Sequence, residues 1–235
     1  MDPTSDLGAS GRLFDLDAIA AALDIPTPER SADEGTVERR MLHGYAFVDE
    51  LVTAGRDPFV YGGSGLLIEM NHIVLCGTSP ARRAEFGPHI AATERRFFDD
   101  HECGADSFYD WVALNRQLTP LAFAARAYRR IVGAPQLFIE GNQRTATLVA
   151  SYVLGRAGLP PLVRTADHAK EFAALSSACK AIDRRQIWSA IEGRILDWRL
   201  QRFMARSAVP VFLARHQGST ATPANRLVPR AGVSR

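Results

Sequence analysis

The feature that most constrains the fold of this chain is a series of amphipathic segments, most of them ended by glycine or proline. From about Val37 to Thr53, apolar residues recur three and four positions apart, and Ala54-Gly55 then closes the segment. Thr119 and Pro120 form a favourable N-cap and first-position pair for the amphipathic segment after them. No succession of strands accompanies these segments, so we predict an all-α fold.

Three further helix boundaries are predicted from local signals. Asp106 or Ser107 is a candidate cap for the helix that follows it, and Thr165 is a candidate cap for a helix through Cys179. A last long helix is predicted from Arg185 to Met204.

Composition and periodicity divide the chain into three regions. Polar and turn-forming residues precede the first long helix, and beyond residue 206 the composition shifts to Ser, Thr, Pro, Ala and Arg without periodicity. We therefore predict an N-terminal extension (1–36), a helical domain (37–206) and a mobile C-terminal tail (207–235).

The overall charge and the cysteine content exclude several classes of protein. The formal net charge of the 235 residues is +2, which is too small to indicate binding to nucleic acid or to an anionic membrane. Three cysteines without a CxxC pair argue against a disulfide scaffold or a zinc site. The acidic N-terminus does not resemble a secretion signal, and no apolar run approaches membrane-spanning length. We predict a soluble cytoplasmic protein, and the sequence indicates no oligomeric state.

The sequence PQLFIEGNQRTATLVASYVL, from Pro135 to Leu154, places a group of polar residues just before a helix. A helix that begins near Asn142–Arg144 leaves its first backbone N–H groups without partners, and its dipole adds positive potential there. Gly141 allows a ligand to approach the backbone closely. Asn142 can offer an amide to a phosphate oxygen, and Arg144 can make a bidentate contact. The start of this helix is therefore a candidate anion site.

Glu140 stands beside this candidate site and would repel a bare phosphate. A Mg²⁺ ion between the two would remove the repulsion, because magnesium commonly joins one carboxylate to a nucleotide. The motif therefore predicts a site for a magnesium-bound di- or triphosphate. The same residues also fit a simpler structure, in which Asn142 is an N-cap, Gly141 a turn residue and Glu140–Arg144 an ordinary i, i+4 ion pair.

The segment FIEGNQRTATLVASYVLGRAGLPP resembles the signature of the Fic/Doc (Fido) family, which reads His-x-Phe-x-Asp/Glu-Gly-Asn-Gly/Lys-Arg. Five positions match it: Phe138, Glu140, Gly141, Asn142 and Arg144. The resemblance is specific over about 119–161, and it implies a helical bundle with the signature loop at the N-terminus of a central helix. It also implies transfer of AMP from ATP to hydroxyl groups of a target protein, with Phe138 anchoring the loop and Glu140 holding Mg²⁺. The candidate phosphate-binding residues are then Gly141, Asn142, Gln143 and Arg144.

Three positions depart from the family signature. Gln136 stands where the family has the histidine that takes a proton from the target hydroxyl, and an amide cannot act as that base. Gln143 replaces a small glycine or a lysine, which narrows access to the backbone. Thr147 replaces a second arginine one turn after Arg144, so one phosphate contact is missing. The resemblance therefore implies transferase activity that is low or altered.

Residues elsewhere in the sequence do not clearly supply the missing groups. The arginines considered for the phosphate contact are interpreted as surface charges: Arg126, Arg129, Arg130 and Arg164. The histidines are interpreted as structural or surface residues: His43, His72, His89, His101, His168 and His216. The family's inhibitory helix carries the sequence Ser/Thr-x-x-x-Glu-Gly/Asn. The segments 31–35 and 189–193 do not match it, because each has one residue too few between the serine and the glutamate. No target-clamping hairpin is predicted.

Three functions remain open on the sequence alone. The first is a nucleotide-binding Fic-type protein with low or altered transfer to a target protein. The second is a non-catalytic interaction or regulatory module with the same fold, and the third is a helical protein whose motif is only a capped helix start. Retained phosphate-binding residues together with a lost base favour binding over fast transfer.

Overall fold

The computed structural model describes residues 11–25, 35–60, 62–186 and 188–214. Within these residues the chain forms ten α-helices: α1 (Leu16–Ala22), α2 (Val37–Thr53), α3 (Ser64–Cys76), α4 (Pro80–Glu85), α5 (Gly87–Asp99), α6 (Ala105–Asn115), α7 (Pro120–Val132), α8 (Asn142–Arg156), α9 (Ala169–Ala181) and α10 (Ser189–Ser207). Short 3₁₀ turns precede α9 and follow α10. The described residues otherwise form only isolated β-bridges, so the predicted all-α class is confirmed. None of the described helices is both long enough and apolar enough to span a membrane.

Helix α8 runs through the centre of the bundle. Eleven of its fifteen residues are buried, and it packs against α2, α3 and α7. Small side chains such as Ala146, Ala150 and Ser151 allow neighbouring helices to approach it from several sides. Gly44 of α2 lies so close to Leu148 that a Cβ atom would collide with it. The N-terminus of α8 is therefore held at a fixed place within the bundle.

A buried ion pair joins α7 to α10. Arg129 Nε and Nη2 donate to the two carboxylate oxygens of Asp197 at 2.6 and 3.0 Å, and Arg126 Nε lies 3.3 Å from the same carboxylate. The bidentate contact compensates for the removal of the buried Asp197 from water. The pair therefore fixes which face of α10 meets the core.

Residues at both ends of the described chain pack onto the same core. Phe14 and Phe212 are buried, and Asp15 N–H donates to the carbonyl of Phe212 at 2.9 Å. Asp49 Oδ1 of α2 accepts hydrogen bonds from the N–H groups of Leu13 and Phe14 at 2.8 and 2.7 Å. The core thus includes residues from the predicted extension (1–36) and from the start of the predicted tail (207–235). Residues 1–10, 26–34 and 215–235 lie outside the described residues.

Helix α6 begins earlier than its predicted cap. It starts at Ala105 with Gly104 at the N-cap position, so Asp106 and Ser107 lie inside the helix and the cap prediction is wrong. The turn before it is formed by Asp100, whose Oδ1 accepts from the two backbone N–H groups at 102 and 103 at 3.1 and 2.9 Å. This side-chain turn determines the entry into α6.

The last two helices also begin later than predicted. A 3₁₀ turn follows Thr165, so α9 begins only at Ala169. Helix α10 begins at Ser189 instead of Arg185, because Asp183 accepts the backbone N–H and the guanidinium of Arg185 and keeps that residue in a turn.

The buried Cys179 thiol predicts a loss of stability at alkaline pH. Burial raises the pKa of Cys179 to about 12, and Arg129 opposes this shift. In the unfolded chain a thiol ionises near about 8.5, so over this range the unfolded state releases a proton that the folded state keeps. The free energy of unfolding should therefore fall by up to about 1.4 kcal/mol per pH unit as the pH rises. Urea unfolding between about pH 8 and 10 should show a steeper fall for wild type than for Cys179→Ala; parallel curves would contradict this.

Candidate functional site

The loop between α7 and α8 turns sharply at Gly141. Its φ of 74° lies in the left-handed region, and a Cβ atom there would lie 3.0 Å from Asn71 Nδ2 and 3.2 Å from Val74 Cγ2. Glycine meets both the conformational and the spatial requirement. Asn142 is consequently the first residue of α8 and not its N-cap, and the first backbone N–H groups of the helix have no intrahelical partner.

Asn71 of α3 fixes this turn from the side. It is fully buried, and its Nδ2 donates to the carbonyl of Glu140 at 2.9 Å and to Thr145 Oγ1 at 3.0 Å. The two acceptors lie on either side of Gly141, so one amide holds both the loop and the first turn of α8. Asn71 was not predicted from the sequence, although a lone asparagine inside the apolar run LLIEMNHIVL is a signal of a buried polar contact.

The side chain of Asn142 closes the loop on itself. Asn142 Oδ1 accepts from the N–H of Phe138 at 2.9 Å, and its Nδ2 donates to the Phe138 carbonyl at 2.8 Å and to Gln136 Oε1 at 3.2 Å. Gln136 Nε2 in turn donates to the carbonyl of Val132 at 3.2 Å. The side-chain amide of Asn142, which the sequence predicted to contact a phosphate, is thus used within the loop. Asn142 therefore shapes the loop in this structure.

Two arginines outside the motif also hold the loop. Arg96 of α5 donates to the carbonyl of Gln136 at 2.8 Å, and Arg184 donates to the carbonyl of Pro135 at 2.5 Å. Burial, together with the neighbouring charge of Arg130, lowers the pKa of Arg184 to about 10. No local sequence signal points to either contact, because both partners are far from the loop in the chain.

Phe138 inserts the loop into the core. Its side chain is 1% exposed and stacks on Phe97 of α5, with ring centroids 5.4 Å apart. The following residue, Ile139, points outward and is 42% exposed. The ring of Phe138 therefore anchors the loop in the core, together with the neighbouring buried Leu137.

Arg144 lies beside the loop as a partly buried cation. Its Nη1 donates to the carbonyl of Val74 at 2.6 Å. Burial lowers the pKa of the Arg144 guanidinium, neighbouring Arg40 lowers it further, and Glu140 opposes both effects. No carboxylate of a described residue lies within salt-bridge distance of Arg144, so the Glu140–Arg144 ion pair considered from the sequence is not formed. An anionic ligand would stabilise such a cation.

A cavity of about 680 Å³ lies over the N-terminus of α8. Its lining includes all six site residues predicted from the sequence: Gln136, Glu140, Gly141, Asn142, Gln143 and Arg144. Met41 and Tyr45 of α2 form one wall, and Phe172 and Ser176 of α9 form another. The volume falls within the range of about 300–1,000 Å³ that is typical of small-molecule sites.

Two further cations line this cavity. Arg164 follows the end of α8, Lys180 belongs to α9, and both side chains are exposed to solvent. Arg164 is exposed, as its interpretation as a surface charge predicts, but it also lines the cavity. Lys180 was not predicted from the sequence. Glu38 and Glu140 are the carboxylates of the lining.

The other arginines considered for the missing phosphate contact are used elsewhere. Arg126 and Arg129 contact Asp197, and Arg130 donates to the carbonyl of Ser107 at 2.9 Å. None of the three lines the cavity. Among the candidates from the sequence, only Arg164 is placed near the motif.

The two positions after Gly141 that depart from the family signature both line the cavity. Gln143 is partly exposed, and its carbonyl accepts from Thr147 Oγ1 at 2.9 Å. Thr147 is buried, so its hydroxyl is used within the helix and offers no positive charge to the cavity.

No described histidine lines the cavity. His72 is buried in α3 with Nε2 3.8 Å from Glu94, and burial lowers its pKa. His168 meets the ring of Phe203 edge-on. His216 lies outside the described residues. The described part of the chain thus offers no imidazole near Gln136.

The partial matches to an inhibitory sequence give no support for an inhibitory helix. The first, 31–35, lies almost wholly outside the described residues. The second, 189–193, forms the start of α10 and does not line the cavity. The described residues contain no β-hairpin either.

Glu140 is the motif carboxylate available to a magnesium ion. Its side chain is exposed at the cavity beside Gly141. No group of three or more His, Cys, Asp or Glu residues within the described ranges is arranged to hold a metal ion by itself. Magnesium bound to a nucleotide needs only one or two protein carboxylates, because phosphates and water supply the other ligands. The donor set therefore fits a Mg²⁺ ion that binds together with its nucleotide.

Comparison with models of known protein families finds no match to the chain, and comparison with curated proteins finds none either. Its function is therefore inferred from the motif residues and the cavity that they line.

Proposed function

We propose that the chain is a Fic-type protein that binds a magnesium-bound nucleotide, ATP or a related one, with low or altered transfer to a target protein. The observation that carries this proposal is the 680 Å³ cavity at the N-terminus of α8, lined by every predicted site residue. A buried helix start, a glycine turn and an arginine without an acidic partner among the described residues together favour an anionic ligand.

Each lining residue has a distinct role in this proposal. The nucleotide phosphates lie against the first turn of α8, where Arg144 contacts them and Gly141 allows close approach. Glu140 holds Mg²⁺, which neutralises phosphate charge when it is bound. Arg164 and Lys180 add positive charge from outside the motif, which offsets the loss of the second arginine at Thr147.

Transfer requires a group that takes a proton. As the hydroxyl oxygen of the target attacks the α-phosphorus of ATP, pyrophosphate leaves and the hydroxyl proton must move to a base. Gln136 occupies the position of that base and cannot accept the proton. Loss of a general base typically slows a reaction by about 10²–10⁴-fold, while positioning and charge stabilisation remain.

Arg144→Ala should weaken binding of Mg²⁺–ATP by about 1.5–3 kcal/mol, the usual value of a hydrogen bond to a charged group. This corresponds to about 10–150-fold in affinity. Isothermal titration calorimetry with ATP, ADP and GTP, each with and without Mg²⁺, measures this effect. Binding should require the metal, because Glu140 would otherwise face the phosphates directly.

Arg156→Ala is the matched control, because Arg156 ends the same helix and pairs with Asp57 away from the cavity. Its nucleotide affinity should equal that of wild type, and circular dichroism should show that both variants are folded. Nucleotide binding that is absent, or that Arg144→Ala leaves unchanged, would contradict the proposal.

A second candidate function is a non-catalytic interaction or regulatory module with the same fold. The hydrogen bonds of Gln136 with Val132 and Asn142 favour it, because they give this side chain a structural role in the loop. Such a module would show no transfer even when a base is supplied at position 136.

A further inference from the structure

Helix α10 has a second apolar face on the side away from the core. Its inner side buries Leu196, Leu200 and Phe203 beside α7 and α9. On the opposite side, four large apolar side chains are exposed: Trp188 (73%), Ile191 (59%), Ile195 (56%) and Trp198 (56%). Trp188 is the N-cap residue of α10 and has a helical backbone conformation (φ −71°, ψ −18°). It therefore continues the face formed by the other three, because residues three and four positions apart are neighbours on a helix. These four residues are here named the α10 stripe. A helix that is apolar on both faces is normally covered on both.

The α10 stripe reads the same in both directions along the chain. Its order is Trp, Ile, Ile, Trp, with spacings of three, four and three residues. If two copies pair antiparallel about a two-fold axis that crosses the exposed face of α10 level with residue 193, Trp188 meets the other copy's Trp198 and Ile191 meets its Ile195. A two-fold contact joins the same patch on both chains, and the three-four spacing is that of paired helices. We infer that the α10 stripe is the interface of a homodimer with antiparallel α10 helices.

The exposed area is compatible with a dimer of moderate affinity. The two tryptophans and two isoleucines expose roughly 500 Å² of apolar surface, at the upper end of what a monomer usually leaves in one patch. A standard interface uses about 800 Å² from each chain. Polar side chains beside the stripe supply the remainder, including Arg202, whose guanidinium lies 4.8 Å from the ring centroid of Trp198.

The charges beside the stripe favour the antiparallel arrangement. Glu192 and Arg199 lie on one flank, and antiparallel pairing brings Glu192 within reach of Arg199 in the other copy. Arg194 lies on the other flank and faces its own counterpart, where both guanidiniums are exposed to solvent and screened. Parallel pairing would instead place Arg194 against Arg199 and leave Glu192 without this partner.

Sedimentation velocity of the full chain, from about 1 to 200 µM, tests the dimer over the affinity range of small interfaces. Wild type should pass from monomer to dimer as its concentration rises. Ile195→Lys should weaken association at least about 10-fold, because it buries a charge at the centre of the contact. Leu114→Lys is the matched control, since Leu114 is an apolar residue of α6 with 85% exposure that does not belong to the α10 stripe, and it should dimerise like wild type. If Ile195→Lys is not folded by circular dichroism, Ile195→Ser replaces it.

Cysteine cross-linking tests the orientation. The three native cysteines are buried, so Trp188→Cys and Trp198→Cys introduce the reactive thiols. After mixing under oxidising conditions, cross-links should join the two different variants and not two copies of one variant; the reverse result overturns the antiparallel arrangement. A wild type that stays monomeric throughout overturns the dimer. If its stripe tryptophans are then also shielded from acrylamide quenching, another segment of the same chain covers the α10 stripe.

Discussion

Gln136→His should raise transfer of a labelled AMP group from ATP by about 10²–10⁴-fold, either onto the protein itself or onto proteins of a cell lysate. The substitution supplies an imidazole at the position where the family signature has one. Because an unperturbed imidazole loses its proton at about pH 6.5, the gained activity should rise as the pH increases through that value. Autoradiography after incubation with Mg²⁺ and α-labelled ATP measures both the gain and its pH dependence.

Gln136→Asn is the control for this experiment. It keeps an amide at the position but provides no base, so transfer should stay at the wild-type level or below it. Adding Arg144→Ala to Gln136→His should remove most of the gain, because the phosphates would lose their contact with the guanidinium. If Gln136→His binds Mg²⁺–ATP and still transfers nothing, the non-catalytic module is the better proposal. Efficient transfer by the wild type would contradict both.

Phe138→Ala should lower the free energy of unfolding by about 3–5 kcal/mol, the usual cost of truncating a buried phenylalanine. Its ring is almost fully buried against Phe97, and the bundle cannot easily close the space that it leaves. Urea unfolding followed by circular dichroism gives this value, provided that the transition is two-state.

Ile139→Ala is the neighbouring control. Ile139 is half-exposed, so its truncation should cost less than about 1 kcal/mol. If Phe138→Ala also cost less than about 1 kcal/mol, the prediction would be wrong. The hydrogen bonds of the loop, and not the ring of Phe138, would then hold it in place.

The start of α8 could be predicted from the sequence because its signals are local. Gly141 permits the left-handed turn that precedes the helix, and its φ is 74°. The start of α6 could not, because its turn depends on how Asp100 folds back onto the N–H groups after it. Both Asp106 and Gly104 are ordinary capping residues, and only the folded turn distinguishes them.

Only those residues of the candidate site that are close together in the chain could be predicted from the sequence. The six motif residues were identified because they are adjacent in the chain, and the structure places them on one cavity. Lys180 and Asn71 were missed because they come from α9 and α3, and their distance from the motif in sequence hides their proximity in space. Arg164 was interpreted as a surface charge. A long side chain can be exposed and still line a cavity, so that interpretation did not reveal its place there.

The loop before α8 is held by groups that lie outside it. Asn71, Arg96 and Arg184 donate to its backbone carbonyls, so the loop is ordered before any ligand enters the cavity. A flexible loop loses conformational entropy when it closes on a ligand, and that loss reduces the affinity. Here the loss is incurred during folding. If the proposed nucleotide binds, the free energy of each phosphate contact would contribute to affinity with little reduction for ordering the backbone.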